Sequence, residues 1–269
     1  MTGYPALPKS YKHAYPFTLS VPSYIYPDAL IPNVKMLGKY TDEIEVLLFE
    51  SAPDSLPTEA EIKTLAILAA DFDLTYNIHL PTDISLTDND PSARQQAVKI
   101  LQSVIHLTVP LSPSTYTVHL PYDEPSRTEA DVKKWQEIAY NSMEYLLESQ
   151  SLPARNFSVE TLNYPFEWAD KIIKDFNFSV CIDLGHLILY ENDVQAVVDK
   201  YAGNTSIIHL HGVENGRDHI ALNRLSKTHS ETVRGILKPF KGVVSLEVFS
   251  YKHLAESLIF LEECVRSEK

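Results

Sequence analysis

The chain has 269 residues, a net charge of −13 and 44% hydrophobic residues, which is enough apolar material for one large core. The acidic balance disfavours a general nucleic-acid-binding protein, because phosphate backbones are held by Lys and Arg. No apolar stretch approaches the roughly 20 residues that span a bilayer, and residues 1–15 lack the apolar segment of a signal peptide. We therefore expect a cytoplasmic protein with a single domain over residues 1–269, of which residues 1–15 form an N-terminal extension.

Apolar, β-branched runs alternate with amphipathic helical stretches along the whole chain. The predicted strands cover residues 17–21, 44–50, 75–79, 115–119, 157–160, 178–182, 206–211 and 243–247. The predicted helices cover residues 28–38, 58–72, 90–107, 128–148, 166–176, 194–201, 226–240 and 253–265. Eight strand-then-helix units predict an α/β fold, a single (β/α)8 TIM barrel. An open doubly wound sheet is the alternative, but none of the eight glycines falls in a Gly-rich phosphate loop.

Two local features support these assignments. Thr58 and Glu61 have the spacing of a capping box at the start of the second helix, and Asp90 followed by Pro91 is typical of a helix start. The two cysteines, Cys181 and Cys264, fall in an apolar strand and in the last helix. We expect both to be buried free thiols.

Histidine and acidic residues recur at or just past the strand ends. They are His79, His119, Glu160, Asp183, His186, His209, His211 and Glu247, with Asp218 and His219 in the loop after the seventh strand. All strand carboxyl ends of a TIM barrel converge on one face, which carries the active site. The sequence therefore predicts a metal site at this face, although each residue taken singly is more typical of a cap, a turn or an ordinary buried polar contact.

Imidazole and carboxylate ligands without thiolates suit Zn²⁺, Mn²⁺ or Fe²⁺. The candidate ligands exceed the needs of one ion, so we expect two or three ions that share Glu160 or Asp183. Such a cluster binds phosphodiester oxygens and generates a hydroxide nucleophile at neutral pH. The same ligands can polarise a hydroxy-ketone for isomerisation, and the residue types alone leave both chemistries open.

These residues resemble the endonuclease IV and xylose isomerase-like TIM-barrel superfamily, over nearly the whole chain. The resemblance implies that His79 and His119 hold one ion and that Glu160 bridges to a second. It further implies that Asp183, His209 and Glu247 complete the second site, and that His186 and His219 hold a third ion. Two departures leave the role of Asp218 and the occupancy of the third site open. The usual Asp-x-His is the adjacent pair Asp218-His219, and the usual His-x-x-Asp is His209-Leu-His-Gly.

Residues 22–35 and 43–51 look like the cobamide-remodelling phosphodiesterase family. That resemblance implies hydrolysis in the nucleotide loop of a vitamin B12-type cofactor, so that the lower ligand can be exchanged. Ser23, Tyr24 and Glu50 fall at the same barrel rim, and we expect them to contact substrate together with His211. The two catalytic residues expected on this basis are Glu160 and Glu247.

The prediction is thus a metal-dependent hydrolase, a phosphodiesterase whose partner is a small-molecule cobamide and which binds neither nucleic acid nor membrane. A sugar or sugar-phosphate isomerase or epimerase on the same barrel is the alternative, with Glu160 and Glu247 as its acid/base pair. An abasic-site endonuclease is disfavoured because no Lys/Arg-rich stretch is evident to follow DNA. A non-catalytic corrinoid- or sugar-binding barrel is the fourth hypothesis.

Overall fold

A computed structural model describes residues 3–148 and 150–266 of the protein. Its strands are β1 (Thr18–Pro22), β2 (Glu43–Leu47), β3 (Thr75–His79), β4 (Tyr116–Val118), β5 (Phe157–Glu160), β6 (Ser179–Asp183), β7 (Thr205–His209), β8 (Gly212–Glu214), β9 (Arg217–Ile220) and β10 (Val243–Ser245). Eight of them are parallel and close into a barrel in the order β1-β10-β7-β6-β5-β4-β3-β2, which confirms the predicted TIM barrel. Strands β8 and β9 form a separate antiparallel hairpin.

Helices surround the barrel, and two of them begin at the caps predicted from the sequence. They are α1 (Leu30–Leu37), α2 (Glu59–Phe72), α3 (Pro91–Thr108), α4 (Glu129–Glu148), α5 (Asp170–Phe176), α6 (Leu184–Leu189), α7 (Val194–Tyr201), α8 (Lys227–Leu237) and α9 (Tyr251–Arg266). Thr58 and Glu61 form the expected capping box, and the Asp90 side chain accepts a hydrogen bond from the Ser92 N–H. Among the described residues, no helix combines the length and apolarity needed to cross a membrane.

Buried polar and apolar residues alternate along the strands, because successive side chains point to opposite faces. On β3, Tyr76 reaches outward and donates a hydrogen bond to the Leu65 carbonyl of α2. Asn77 points into the barrel, where it donates to Ser20 of β1 and Glu43 of β2. The apolar face of each strand therefore packs against the helices, while a polar face is left for the barrel interior.

The structure differs from the predicted elements mainly at the carboxyl-terminal mouth of the barrel. The seventh strand was expected to run to residue 211, but β7 ends at His209 and the chain turns into the β8–β9 hairpin. Strand β10 ends at Ser245, where its pairing partners His209 and Ser20 lie. Ladder hydrogen bonds are available only as far as both neighbours extend, so several predicted strand ends become loop residues at the mouth.

Candidate metal centre

Glu160, at the end of β5, lies at the middle of a cluster of imidazoles and is 1% exposed. Its Oε2 atom lies 2.8 Å from His119 Nε2, 3.3 Å from His79 Nε2 and 3.6 Å from His209 Nδ1. Its Oε1 atom lies 3.3 Å from His186 Nδ1. One carboxylate thus contacts side chains from the mouths of four other strands, as barrel closure requires.

The Asp183-x-x-His186 spacing has a local structural cause. Asp183 ends β6 and caps the six-residue helix α6, where its Oδ1 accepts a hydrogen bond of 2.8 Å from the His186 N–H. One helical turn brings residues three apart onto the same side. His186 Nδ1 consequently lies 3.1 Å from Asp183 Oδ2, while its ring faces Glu160.

Glu247 joins the cluster from the segment just after β10. Its Oε2 lies 3.3 Å from His209 Nδ1 and 3.6 Å from His219 Nε2. His219 is carried by β9, so the hairpin that the sequence did not predict delivers this candidate ligand to the mouth. All nine predicted metal ligands therefore fall in one connected set of contacts, in which Asp218 is joined only through His219: His79, His119, Glu160, Asp183, His186, His209, Asp218, His219 and Glu247.

The donor atoms fit divalent cations. Sets of three lie within 4.8 Å of one another in His79–His119–Glu160, Glu160–Asp183–His186, His79–His209–Glu247, Glu160–Cys181–His209 and His186–His211–His219. Within the described part of the chain, Asp183 Oδ2, His186 Nδ1 and His209 Nδ1 are buried without a well-formed hydrogen bond. Buried polar groups are normally satisfied, so these atoms are suited to bind ions.

The electrostatic environment keeps the carboxylates ionised. Burial by itself would raise the pKa of Glu160, but the neighbouring His119 and His209 bring it well below its ordinary value. Burial likewise opposes ionisation of Asp183, and His186 and His211 lower its pKa. Burial by itself would lower the pKa of His186. The negative charges of Asp183 and Glu160 have the larger effect and raise this pKa to about 10. Without metal, the centre therefore holds protons on imidazoles that a cation must displace.

We expect metal affinity to rise with pH through neutrality. His186 has a pKa of about 10 and binds a cation only after losing its proton, so each displaced proton changes affinity by about tenfold per pH unit. Calorimetric titration of Zn²⁺ into metal-free protein, in buffers of different ionisation enthalpy, measures the protons released. Release of no proton at pH 7 would contradict ligation by His186.

The remaining predicted site residues occupy varied positions. Asp218 is half-buried and its Oδ1 lies 3.4 Å from His219 Nδ1. Ser23 is fully buried, and its hydroxyl accepts a hydrogen bond from the Leu47 N–H. Glu50 is exposed and accepts from the Ser55 hydroxyl. Tyr24 is 42% exposed, whereas His211 is fully buried.

The sequence prediction missed Glu45 and two phenylalanines. Glu45 is fully buried in β2, and its Oε1 lies 3.1 Å from His209 Nε2. Phe49 and Phe249 are 40% and 39% exposed at the mouth. The available signal was that side chains two positions apart along a strand lie on the same face. Glu45 lies two residues before Leu47, and Phe249 lies two residues after Glu247.

Comparisons with solved structures show proteins that share this fold. A D-tagatose 3-epimerase-like protein superposes with a TM-score of 0.73 at 18% identity, covering 93% of this chain and 97% of that one. The IOLI protein with a bound zinc atom gives 0.67 at 13% identity, covering 93% and 96%. Endonuclease IV from Thermus thermophilus gives 0.67 at 15% identity, covering 91% and 99%. No curated protein sequence matches significantly.

At these sequence identities the superpositions show that the barrel fold is shared. The reaction has to be inferred from the residues of the site. The sequence itself also matches a family model, the xylose isomerase-like TIM barrel, over residues 39–264. That match spans the strand ends from His79 to Glu247, and this chain therefore belongs to the xylose isomerase-like TIM barrel family.

Proposed function

We propose that this protein is a metal-dependent phosphodiesterase that binds two or three divalent ions. The observation that carries the proposal is the position of Glu160, which is shared by three of the candidate ligand groups. A carboxylate shared between groups suits bridging of neighbouring ions, and clusters of ions stabilise both the attacking and the leaving oxygen of an in-line displacement at phosphorus.

When bound, the ions would supply a hydroxide nucleophile and charge stabilisation at the phosphoryl group. The chain's own contribution is positional. His79 and His119 would hold one ion beside Glu160, and Asp183 and His209 would hold another. Glu247 adds a third carboxylate, whose negative charge offsets the positive charge of the ions.

Within this class we propose a cobamide as the substrate, on the resemblance of residues 22–35 and 43–51. An exposed strip of aromatic rings supports a substrate with a flat apolar part. The ring centroids of Tyr24 and Phe49 lie 6.0 Å apart, those of Phe49 and Phe249 5.8 Å, and those of Phe249 and His219 5.1 Å. Exposed aromatic patches are typical of ligand-binding surfaces, and this one begins at a candidate metal ligand.

Incubation of metal-reconstituted protein with several cobamides tests both levels of this proposal. We expect mass spectrometry to show a corrinoid lacking its lower nucleoside, and a chelator to stop its formation. A parallel assay with bis(p-nitrophenyl) phosphate reports phosphodiester cleavage without a cobamide. If the aryl ester is cleaved and every cobamide stays intact, the substrate assignment is wrong and the reaction class stands.

A sugar epimerase or isomerase is the second candidate, favoured by the two carboxylates around His209. Its Nδ1 lies 3.6 Å from Glu160 and 3.3 Å from Glu247, so an acid/base pair can flank one ion. This reaction takes up solvent protons at carbon. Incorporation of deuterium from D₂O into a ketose, with no phosphodiester cleavage, would replace the phosphodiesterase proposal.

A further inference from the structure

A cavity of about 430 Å³ lies between the loops that follow β1 and β2, residues 23–29 and 48–58. This volume is within the range of pockets that hold small molecules. Its apolar lining includes Tyr24, Leu30, Leu48, Phe49 and Leu56. Tyr24 and Phe49 also form one end of the exposed aromatic strip that leads to His219. Aromatic rings therefore connect the cavity to the candidate metal centre.

Hydrogen bonds from neighbouring side chains hold both loops in place. Asn33 is fully buried, and its side-chain amide accepts from the Tyr26 N–H and donates to the Tyr26 carbonyl. On the second loop, the Ser51 N–H and hydroxyl both donate to the Asp83 carboxylate. The walls of the cavity are thus formed in advance, and a ligand does not have to order them.

The charged groups that line the cavity are all carboxylates, and they belong to Glu50, Asp54 and Glu61. Among the described residues of the lining, none is Lys, Arg or His. Ionised carboxylates only accept hydrogen bonds. The Ser55 hydroxyl donates to one oxygen of Glu50, and no described group donates to the other. A ligand therefore gains from N–H donors or a positive charge here, whereas a phosphate group would be repelled.

We propose that this cavity binds the base of a nucleotide-like phosphodiester, a flat nitrogen heterocycle that carries N–H donors. The phosphodiester itself lies at the metal centre. Flat rings stack on aromatic side chains such as Tyr24 and Phe49, and the carboxylates accept from the edge of the base. Phe249 lies between Phe49 and His219, so the sugar that joins base and phosphate crosses its ring. The inference deepens the proposed function and rests on its phosphodiester chemistry.

A free sugar suits this cavity less well than a base does. A sugar carries hydroxyl groups around its whole ring, and those that face Leu30, Leu48 and Leu56 would be buried without partners. A base has two apolar faces and carries its N–H groups only at the edge. The lining offers the same two kinds of contact, apolar walls and a few strong acceptors.

The test compares three phosphodiesters that share a p-nitrophenyl leaving group: the adenosine 5′-ester, the purine riboside 5′-ester and the methyl ester. Adenosine carries an amino group that purine riboside lacks, and the methyl ester carries no base. With metal-reconstituted protein, we expect kcat/KM to be highest for the adenosine ester and at least about 10-fold lower for the methyl ester. Equal kcat/KM for all three esters would overturn the inference and leave the phosphodiesterase proposal intact.

Variants of the lining connect this preference to the cavity. Phe49→Ala should lower the ratio of kcat/KM between the adenosine and methyl esters by about 10-fold, because it removes a stacking surface. Glu50→Gln combined with Asp54→Asn keeps the side-chain shapes but removes both charges. This double variant should lower the preference for adenosine over purine riboside by about 5-fold.

Tyr145→Ala is the matched control for loss of an exposed aromatic ring. Tyr145 is 55% exposed on α4 and does not line the cavity. Both ratios should therefore stay at their wild-type values in this variant. Wild-type ratios in Phe49→Ala and in the double variant would overturn the inference.

A binding measurement separates failure of this inference from failure of the proposed reaction. Saturation-transfer NMR compares adenosine and fructose on the wild type and on Phe49→Ala. If no ester is cleaved but adenosine binds and Phe49→Ala weakens it, the phosphodiesterase proposal is wrong and the base-binding cavity stands. Absence of adenosine binding, or a stronger signal from fructose, would overturn the cavity assignment.

An adenine-bearing cobamide, assayed beside the adenosine ester, distinguishes two sources of such a base. Its cleavage with the same loss in Phe49→Ala would identify a cofactor-borne base. Cleavage of the adenosine ester alone would identify the base of a simple nucleotide.

Discussion

Replacement of Glu160 by glutamine is expected to lower the metal-dependent activity by more than about 100-fold. Loss of a residue that only supports a ligand typically costs about 10–100-fold in metal affinity or activity, and Glu160 itself contacts four imidazoles. The amide preserves the side-chain volume but removes the negative charge and the bridging capacity. Turnover and bound metal per chain, measured on the same preparation, check this expectation.

Glu43→Gln is the matched control. Glu43 is as buried as Glu160, but it lies at the amino-terminal end of β2, where it accepts hydrogen bonds from Thr75, Asn77 and Ser114. Its substitution should leave metal content and activity near those of the wild type, even if thermal stability changes. Full activity in Glu160→Gln would show that this carboxylate is dispensable and would favour a non-catalytic barrel.

Removal of metal is expected to abolish activity and to lower the melting temperature together. Ions at 100 times their dissociation constant stabilise the folded state by about 2.7 kcal/mol, which corresponds to about 5–10 °C for a domain of this size. The physical reason is that the unfolded chain cannot bring ligands from the ends of six barrel strands to one point. Thermal scans before and after chelation, and again after re-addition of Zn²⁺, Mn²⁺ or Fe²⁺, measure the effect.

The order in which the metals restore activity would identify the ion that the proposed reaction uses. Zn²⁺ could restore the melting temperature while only Mn²⁺ or Fe²⁺ restores activity. That result would separate metal binding from turnover. Undiminished activity after complete chelation, verified by elemental analysis, would contradict the proposed mechanism at its first step.

Much of the fold was predictable because its signals are local. The alternation of apolar strands with amphipathic helices, and caps such as Thr58 with Glu61, depend on residues only a few positions apart. The β8–β9 hairpin was not predicted because Gly212 and Ile220 pair through only a short, irregular ladder. Helix α6 was not predicted because it has only six residues, and its start is set by the Asp183 cap.

The sequence by itself determined which strand ends carry imidazoles and carboxylates, as at His79, His119 and Glu160, because a strand's period and its end are properties of consecutive residues. Only the tertiary structure decided which atoms meet. Glu160 reaches His79 across 81 positions of the chain, and that contact depends on how the strands align and close into a ring. The same holds for His211, whose surroundings come from α6 and β9, so the sequence could place it near the mouth but could not assign its neighbours.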